Sequence, residues 1–148
     1  MLKVGDQVPE FLSKDQDETI IKLSDYQGKK LIIFFYPRAN TPGCTAEACN
    51  LRDNYNELKS AGYELLGVSA DTVKKQSNFK AKYELPFPLL ADEDHTVINT
   101  FGVWGPKKFM GKEFEGIIRT TFVLNEEGVV EKVIEKVKTK DHAAQILG

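Results

Sequence analysis

A chain of 148 residues and 16.7 kDa has the length of one compact domain, enough to bury roughly 70% of its unfolded surface without staples. With 41% hydrophobic and 28% charged residues, 11 Gly and 6 Pro, it is not disordered, collagenous or a disulfide scaffold. Twenty basic side chains against 22 acidic ones, a formal net charge of −2, supply no concentrated basic surface of the kind nucleic-acid binding needs.

The opening Met1-Leu2-Lys3-Val4-Gly5-Asp6 lacks the apolar stretch of a secretory signal, and the chain reads as a soluble cytoplasmic protein. Val8-Pro9 and Phe11-Leu12 lead into an expected N-terminal β-hairpin, with Thr19 to Leu23 as its clearer strand. Ser24 to Gly28 predicts a helical turn closed by glycine. Lys30 to Tyr36 is apolar on consecutive positions, as a strand covered on both faces requires. Its core, Leu31 to Tyr36, is the longest strongly apolar run and falls far short of the ~20 residues that cross a bilayer.

After Pro37 a loop runs to Thr41-Pro42-Gly43, where Thr41 suits a helix N-cap and Pro42 the first helical position. Ala48, Leu51, Tyr55 and Leu58 then recur at helical spacing, and Gly62 closes one expected helix. Glu64 to Ala70 is the next strand, so strand, helix and strand form a right-handed βαβ unit with parallel strands.

Asp71 or Thr72 caps a helix through Phe79 to Tyr83, whose lysines Lys74, Lys75, Lys80 and Lys82 form a solvated face. Pro86 to Leu90 is extended, and Asp94 precedes a short helix at about His95 to Phe101. Gly102 to Gly116 reads as an irregular loop around Trp104, which is read as a packing residue. Arg119 to Leu124 and Val129 to Val137 form a hairpin about Asn125 to Gly128, and a last helix spans about Asp141 to Leu147. No repeat or long linker intervenes, so residues 1–148 read as a single α/β domain, a mixed central sheet flanked by helices.

Two cysteines argue against a secreted framework. Cys44 falls just past the end of a buried strand, in the first turn of the next helix, where open α/β sheets bind ligands. Unpaired N–H groups and the helix dipole favour an anion there, hence a thiolate; a buried, inert cysteine is the alternative. Cys49 stands five residues on. In a continuous helix that spacing separates the Cα atoms by about 8.6 Å, against the roughly 4.4–6.8 Å of a disulfide. An intact helix therefore keeps them apart, and an unwound turn or two would let them meet; an incidental core residue is the alternative reading of Cys49.

Zinc-type spacing is absent, with His95 and His142 isolated from Cys44 and from each other, and no Cys-x-x-Cys pair occurs. A phosphate loop fails because Gly105 to Gly111-Lys112 is one residue too long and Glu113 follows the lysine. Arg119 opens an apolar strand, a costly place for a cation unless it faces a cleft or a partner. It either holds a thiolate and a polarised oxygen or makes an ordinary edge salt bridge.

The run Phe35-Tyr36-Pro37-Arg38-Ala39-Asn40-Thr41-Pro42-Gly43-Cys44-Thr45-Ala46-Glu47-Ala48-Cys49 resembles the active-site signature of peroxiredoxins. Its Thr-Pro-Gly-Cys-Thr core with a second cysteine five residues on is similar to the bacterioferritin comigratory protein (PrxQ-like) subfamily. Gly102-Val103-Trp104-Gly105, Gly116 to Phe122 and the N-terminal Gly5 to Phe11 match the same subfamily, so the resemblance spans nearly the whole chain. The family often has Lys-Asp after Tyr-Pro, where this chain has Arg38-Ala39.

The resemblance implies a thioredoxin-like fold with an N-terminal β-hairpin extension, and a thiol peroxidase acting on hydrogen peroxide and organic hydroperoxides. It makes Cys44 the peroxidatic cysteine, whose sulfenic acid Cys49 resolves as a disulfide. Arg119 would stabilise the thiolate and the peroxide oxygens, Thr41 hydrogen-bond the reacting oxygen, and Pro37 shield the site. Thioredoxin is the implied reductant, a monomer the implied state, and no metal or organic cofactor is implied. Two further readings stay open on the residues: a peroxidase whose Cys44 is resolved by an external thiol, and a thioredoxin-fold binding module with inert thiols.

Overall fold

The computed structural model describes residues 1–148, the side chain of Phe109 excepted. Strands β1 (Leu12–Lys14) and β2 (Ile20–Lys22) pair antiparallel as an N-terminal hairpin, and a short 3-10 turn covers Leu23–Tyr26. Then follow β3 (Lys30–Phe35), α1 (Pro42–Asp53), α2 (Tyr55–Ser60), β4 (Tyr63–Ser69), α3 (Val73–Lys82), β5 (Leu89–Ala91) and α4 (Thr96–Phe101). The remainder comprises β6 (Trp104–Phe109), β7 (Lys112–Ile117), β8 (Thr120–Leu124), β9 (Val130–Ile134) and α5 (His142–Leu147).

The central sheet has the order β5-β4-β3-β8-β9. Strands β3, β4 and β5 run parallel, while β8 is antiparallel to β3 and β9 to β8. The mixed sheet flanked by helices is the α/β class that the sequence implies.

Strand β3 explains why the sheet holds. Leu31, Ile33 and Phe35 enter one apolar cluster with Val97, Ile98 and Phe101 of α4. Ile32, Phe34 and Tyr36 enter the other with Leu51, Phe79 and Ile146 from α1, α3 and α5. Each fully buried large side chain stabilises the fold by roughly 1.5–3 kcal/mol relative to exposure, so the centre of the sheet is the most firmly fixed part of the molecule.

Two expected elements differ. The single helix from Pro42 to Gly62 is broken at Asn54, whose backbone turns to φ −108°, ψ 15°. Its side-chain amide donates to the Asn50 carbonyl at 2.8 Å, a local bond that competes with the helix. The irregular segment from Gly102 to Gly116 is instead a hairpin, β6 paired with β7 from Trp104↔Ile117 to Phe109↔Lys112. Met110 and Gly111 connect the strands with φ of 51° and 78°, the left-handed pair of a two-residue hairpin turn. Among the described residues, no helix is long and apolar enough to cross a membrane.

Candidate active site

The site forms where β3 ends and α1 begins. Pro37 to Thr41 make the connecting turn, held against the end of β4 by the Ala39 N–H donating to Asp71 Oδ2 at 2.7 Å. The same carboxylate oxygen accepts the Ser69 hydroxyl at 2.7 Å. Asn40 takes the left-handed φ of 63° that asparagine tolerates, and its side chain accepts the Tyr83 hydroxyl at 3.1 Å.

Thr41 is the N-cap residue, with extended backbone and Pro42 at the first helical position, but its side chain makes no capping bond. Its hydroxyl instead donates to the Arg38 carbonyl at 2.8 Å. That fixes the hydroxyl proton away from the helix and leaves lone pairs on the oxygen free to accept from a peroxide O–H. Helical geometry also leaves the Gly43 and Cys44 N–H groups outside the internal ladder.

Cys44, 2% exposed, lies in that first turn beside a cavity of about 600 Å³ whose walls include Pro37, Thr41, Trp104, Ile117 and Arg119. Arg119 arrives from the neighbouring strand. Phe35 of β3 pairs with Thr120 of β8, so the residue before β8 stands beside the end of β3. Its Nη2 donates to Cys44 Sγ at 3.2 Å, and its Nη1 to Glu47 Oε1 at 2.7 Å. Burial pulls the guanidinium pKa down, but the charges of Cys44 and Glu47 outweigh it and the net shift is upward, so Arg119 stays cationic. Glycine at position 43 leaves room for this close approach, since a Cβ there would stand 3.2 Å from Nη2 and press on it.

Cys49 is half-buried on the same helix, and both thiols are free. The next residue anchors the helix: Asn50 Nδ2 donates to the Lys140 carbonyl at 3.0 Å, and Asn50 Oδ1 accepts the Ala143 N–H of α5 at 2.8 Å. The turns ahead of Asn50 carry both cysteines and lack such an anchor to the backbone of α5.

The structure thus brings Pro37, Thr41, Cys44 and Arg119 to one cavity and leaves Cys49 on the same helix but outside the cavity wall. Trp104, read from sequence as a packing residue, is 37% exposed in that wall and stacks on His95 with ring centres 4.5 Å apart. Two buried groups behind the site escaped the sequence reading. Glu47 is fully buried, and His142, expected to be isolated, places Nε2 3.4 Å from Glu47 Oε2. Glu47 carried one sequence signal, since three residues after Cys44 it shares that cysteine's helix face; His142 carried none. Among the described residues, no group of three or more His, Cys, Asp or Glu side chains is arranged to hold a metal.

A mixed α/β sheet with a thiol at a helix start, paired to a cationic guanidinium in an open cavity, defines a thiol-dependent oxidoreductase. Residues 4–133 match the AhpC/TSA family. The chain is 50% identical to a putative peroxiredoxin bcp of Haemophilus influenzae and 49% identical to peroxiredoxin Bcp of Escherichia coli. Each alignment covers 99% of this chain and 94% of the relative. A solved structure of the Xanthomonas campestris bacterioferritin comigratory protein superposes with a TM-score of 0.87 at 37% identity, covering 96% of this chain and 95% of that one. The chain belongs to the AhpC/TSA family, in its Bcp/PrxQ branch of peroxiredoxins, and is a thiol-dependent peroxidase with the thioredoxin-like fold.

Proposed function

We propose that the protein, a single-domain cytoplasmic monomer, reduces hydrogen peroxide and organic hydroperoxides through Cys44, with Cys49 as resolving thiol and thioredoxin as reductant. The observation that carries this reading is the Arg119 Nη2–Cys44 Sγ contact of 3.2 Å at the start of α1. A fixed cation and free helix N–H groups favour the thiolate and leave its lone pair facing the cavity.

The thiolate attacks the terminal peroxide oxygen, the O–O bond breaks, and the departing oxygen takes a proton to leave as water or an alcohol. Negative charge grows on that oxygen as the bond breaks, so donors set in advance lower the barrier more than they aid ground-state binding. Arg119 supplies donors, Thr41 orients the peroxide through its free lone pairs, and Pro37 closes one side of the cavity. Trp104 and Ile117 give the cavity apolar wall, suited to an alkyl group; the Xanthomonas relative has alkyl peroxide reduction activity.

Cys44 is left as a sulfenic acid. The Cys49 thiol attacks its sulfur, water leaves, and an S–S bond forms. At about 8.6 Å between Cα atoms in an intact helix, that step requires the turns ahead of Asn50 to unwind. The test is one equivalent of hydrogen peroxide added to reduced protein, followed by peptide mass mapping. A Cys44–Cys49 crosslink is expected. Turnover with thioredoxin that survives Cys49→Ser unchanged would assign resolution to an external thiol instead.

A further inference from the structure

Behind Arg119 lies a chain of buried groups that the peroxide chemistry does not use. Glu47 gives Oε1 to Arg119, while its Oε2 is the one buried side-chain N or O atom among the described residues without a hydrogen-bond partner. His142 Nε2 is 3.4 Å from that oxygen, an approach without a hydrogen bond. Both side chains are fully buried.

The surroundings fix the His142 tautomer. Gln145 Nε2 donates to the Lys136 carbonyl at 2.9 Å, and Gln145 Oε1 accepts the Lys138 N–H at 2.8 Å. The Gln145 oxygen therefore faces His142 Nδ1, 2.8 Å away, and Nδ1 must carry a hydrogen. In the neutral ring Nε2 has only a lone pair, which accepts the Thr121 hydroxyl at 2.7 Å. Glu47 Oε2 therefore meets a ring nitrogen with no hydrogen to offer, and an ionised carboxylate would keep that buried oxygen unpartnered, a costly arrangement that one added proton relieves.

We propose that Glu47 and His142 share one buried proton, which leaves the Arg119 charge to the Cys44 thiolate and is released when the first turns of α1 unwind. The release half rests on the disulfide reading above. With the proton in place, the thiolate and guanidinium cancel and the pair is neutral. Without it, a carboxylate 2.7 Å from Arg119 competes with the thiolate for a single positive charge.

The other charged groups facing the pair agree. Lys132 on β9 donates to the Gln145 carbonyl at 2.6 Å, and with Arg119 it disfavours a cationic His142, adding to the effect of burial. Lys107 on β6 adds positive charge near Arg119 and Cys44. Burial pushes the Glu47 carboxyl up to about 7 against the opposing pull of Arg119, so below that pH the pair holds its proton on the Glu47 side.

Glu47 lies between the two cysteines and ahead of the Asn50 anchor. Unwinding that joins the sulfurs carries it into water, where its pKa returns to the ordinary value near 4.5. The wound turn binds the proton and the unwound turn does not. The advantage of the wound turn is therefore complete below that ordinary value and is lost as pH rises through about 7.

The test is infrared difference spectroscopy of the full chain at about pH 6, reduced against peroxide-oxidised. The C=O band of a protonated carboxyl should disappear on oxidation, be missing from Glu47→Gln, and titrate out of the reduced protein near pH 7. His142→Phe should move that midpoint by about a unit or more. The rate of crosslink formation, taken as a ratio of native protein to Glu47→Gln, should rise by up to tenfold per pH unit between about pH 5 and 7 and then level off. A reduced protein with no such band, a band that persists in the disulfide form, a midpoint unmoved by His142→Phe, or a flat ratio would each overturn the inference. Absence of the Cys44–Cys49 crosslink would instead overturn the disulfide reading, so the two failures are told apart.

Discussion

Strand β3 and the first turns of α1 are joined by one short turn, yet opposite kinds of contact hold them. From Leu31 to Tyr36 every side chain is at most 1% exposed, and alternate residues feed two apolar cores. In α1 from Pro42 to Cys49 only Cys44, Glu47 and Ala48 are buried, and Glu47 is held by a hydrogen bond of 2.7 Å from the Arg119 guanidinium. The site therefore has a floor fixed by area removed from water and a roof fixed by charge. Apolar packing does not respond to pH or oxidation near neutrality, whereas a charge-held helix does. The cysteine that must first be positioned and then move sits on the part that can move.

Three substitutions probe that contrast. The largest effect belongs to the floor: Phe34→Ala removes a ring packed 5.6 Å from Tyr36 and 5.5 Å from Phe87. It should cost about 3–5 kcal/mol, read from the denaturant midpoint, and a loss below about 1 kcal/mol would break the comparison. Next, Arg119→Met should slow reaction of Cys44 with peroxide by about 10²–10³-fold in stopped-flow assays. An unchanged rate would reduce Arg119 to an edge ion pair. The smallest effect is expected from Gly43→Ala, whose Cβ would press on Nη2 at 3.2 Å. A few tenths of an ångström of guanidinium displacement should lower the same rate by about tenfold, equivalent to about 1.4 kcal/mol. A loss as large as that of Arg119→Met would mean the guanidinium has no room to yield.

The floor was legible in the sequence because a strand buried on both faces leaves consecutive apolar residues, and Thr41-Pro42-Gly43 marked the start of α1 through backbone preferences alone. The β6–β7 hairpin was not legible. Lys112 to Glu115 are all exposed, so no alternation betrays the strand, and in the turn only Gly111 advertises the left-handed backbone that Met110 shares. Asn54 hid the break in the helix because Tyr55 and Leu58 continue the spacing of Ala48 and Leu51. Within the site, Cys44 and Arg119 drew attention by chemistry that their local patterns did not explain. Glu47 and His142 did not, since their burial arises only when α1, β8 and α5 close on one another from positions 72 and 95 residues apart along the chain (Glu47 to Arg119 and Glu47 to His142).

The account stands most directly on which atom peroxide oxidises. Reduced Cys49→Ser protein, given one equivalent of hydrogen peroxide and read by peptide mass, should carry a single added oxygen on the Cys44 peptide, and Cys44→Ser should consume no peroxide. Peroxide consumed while the Cys44 peptide stays unmodified would contradict the account.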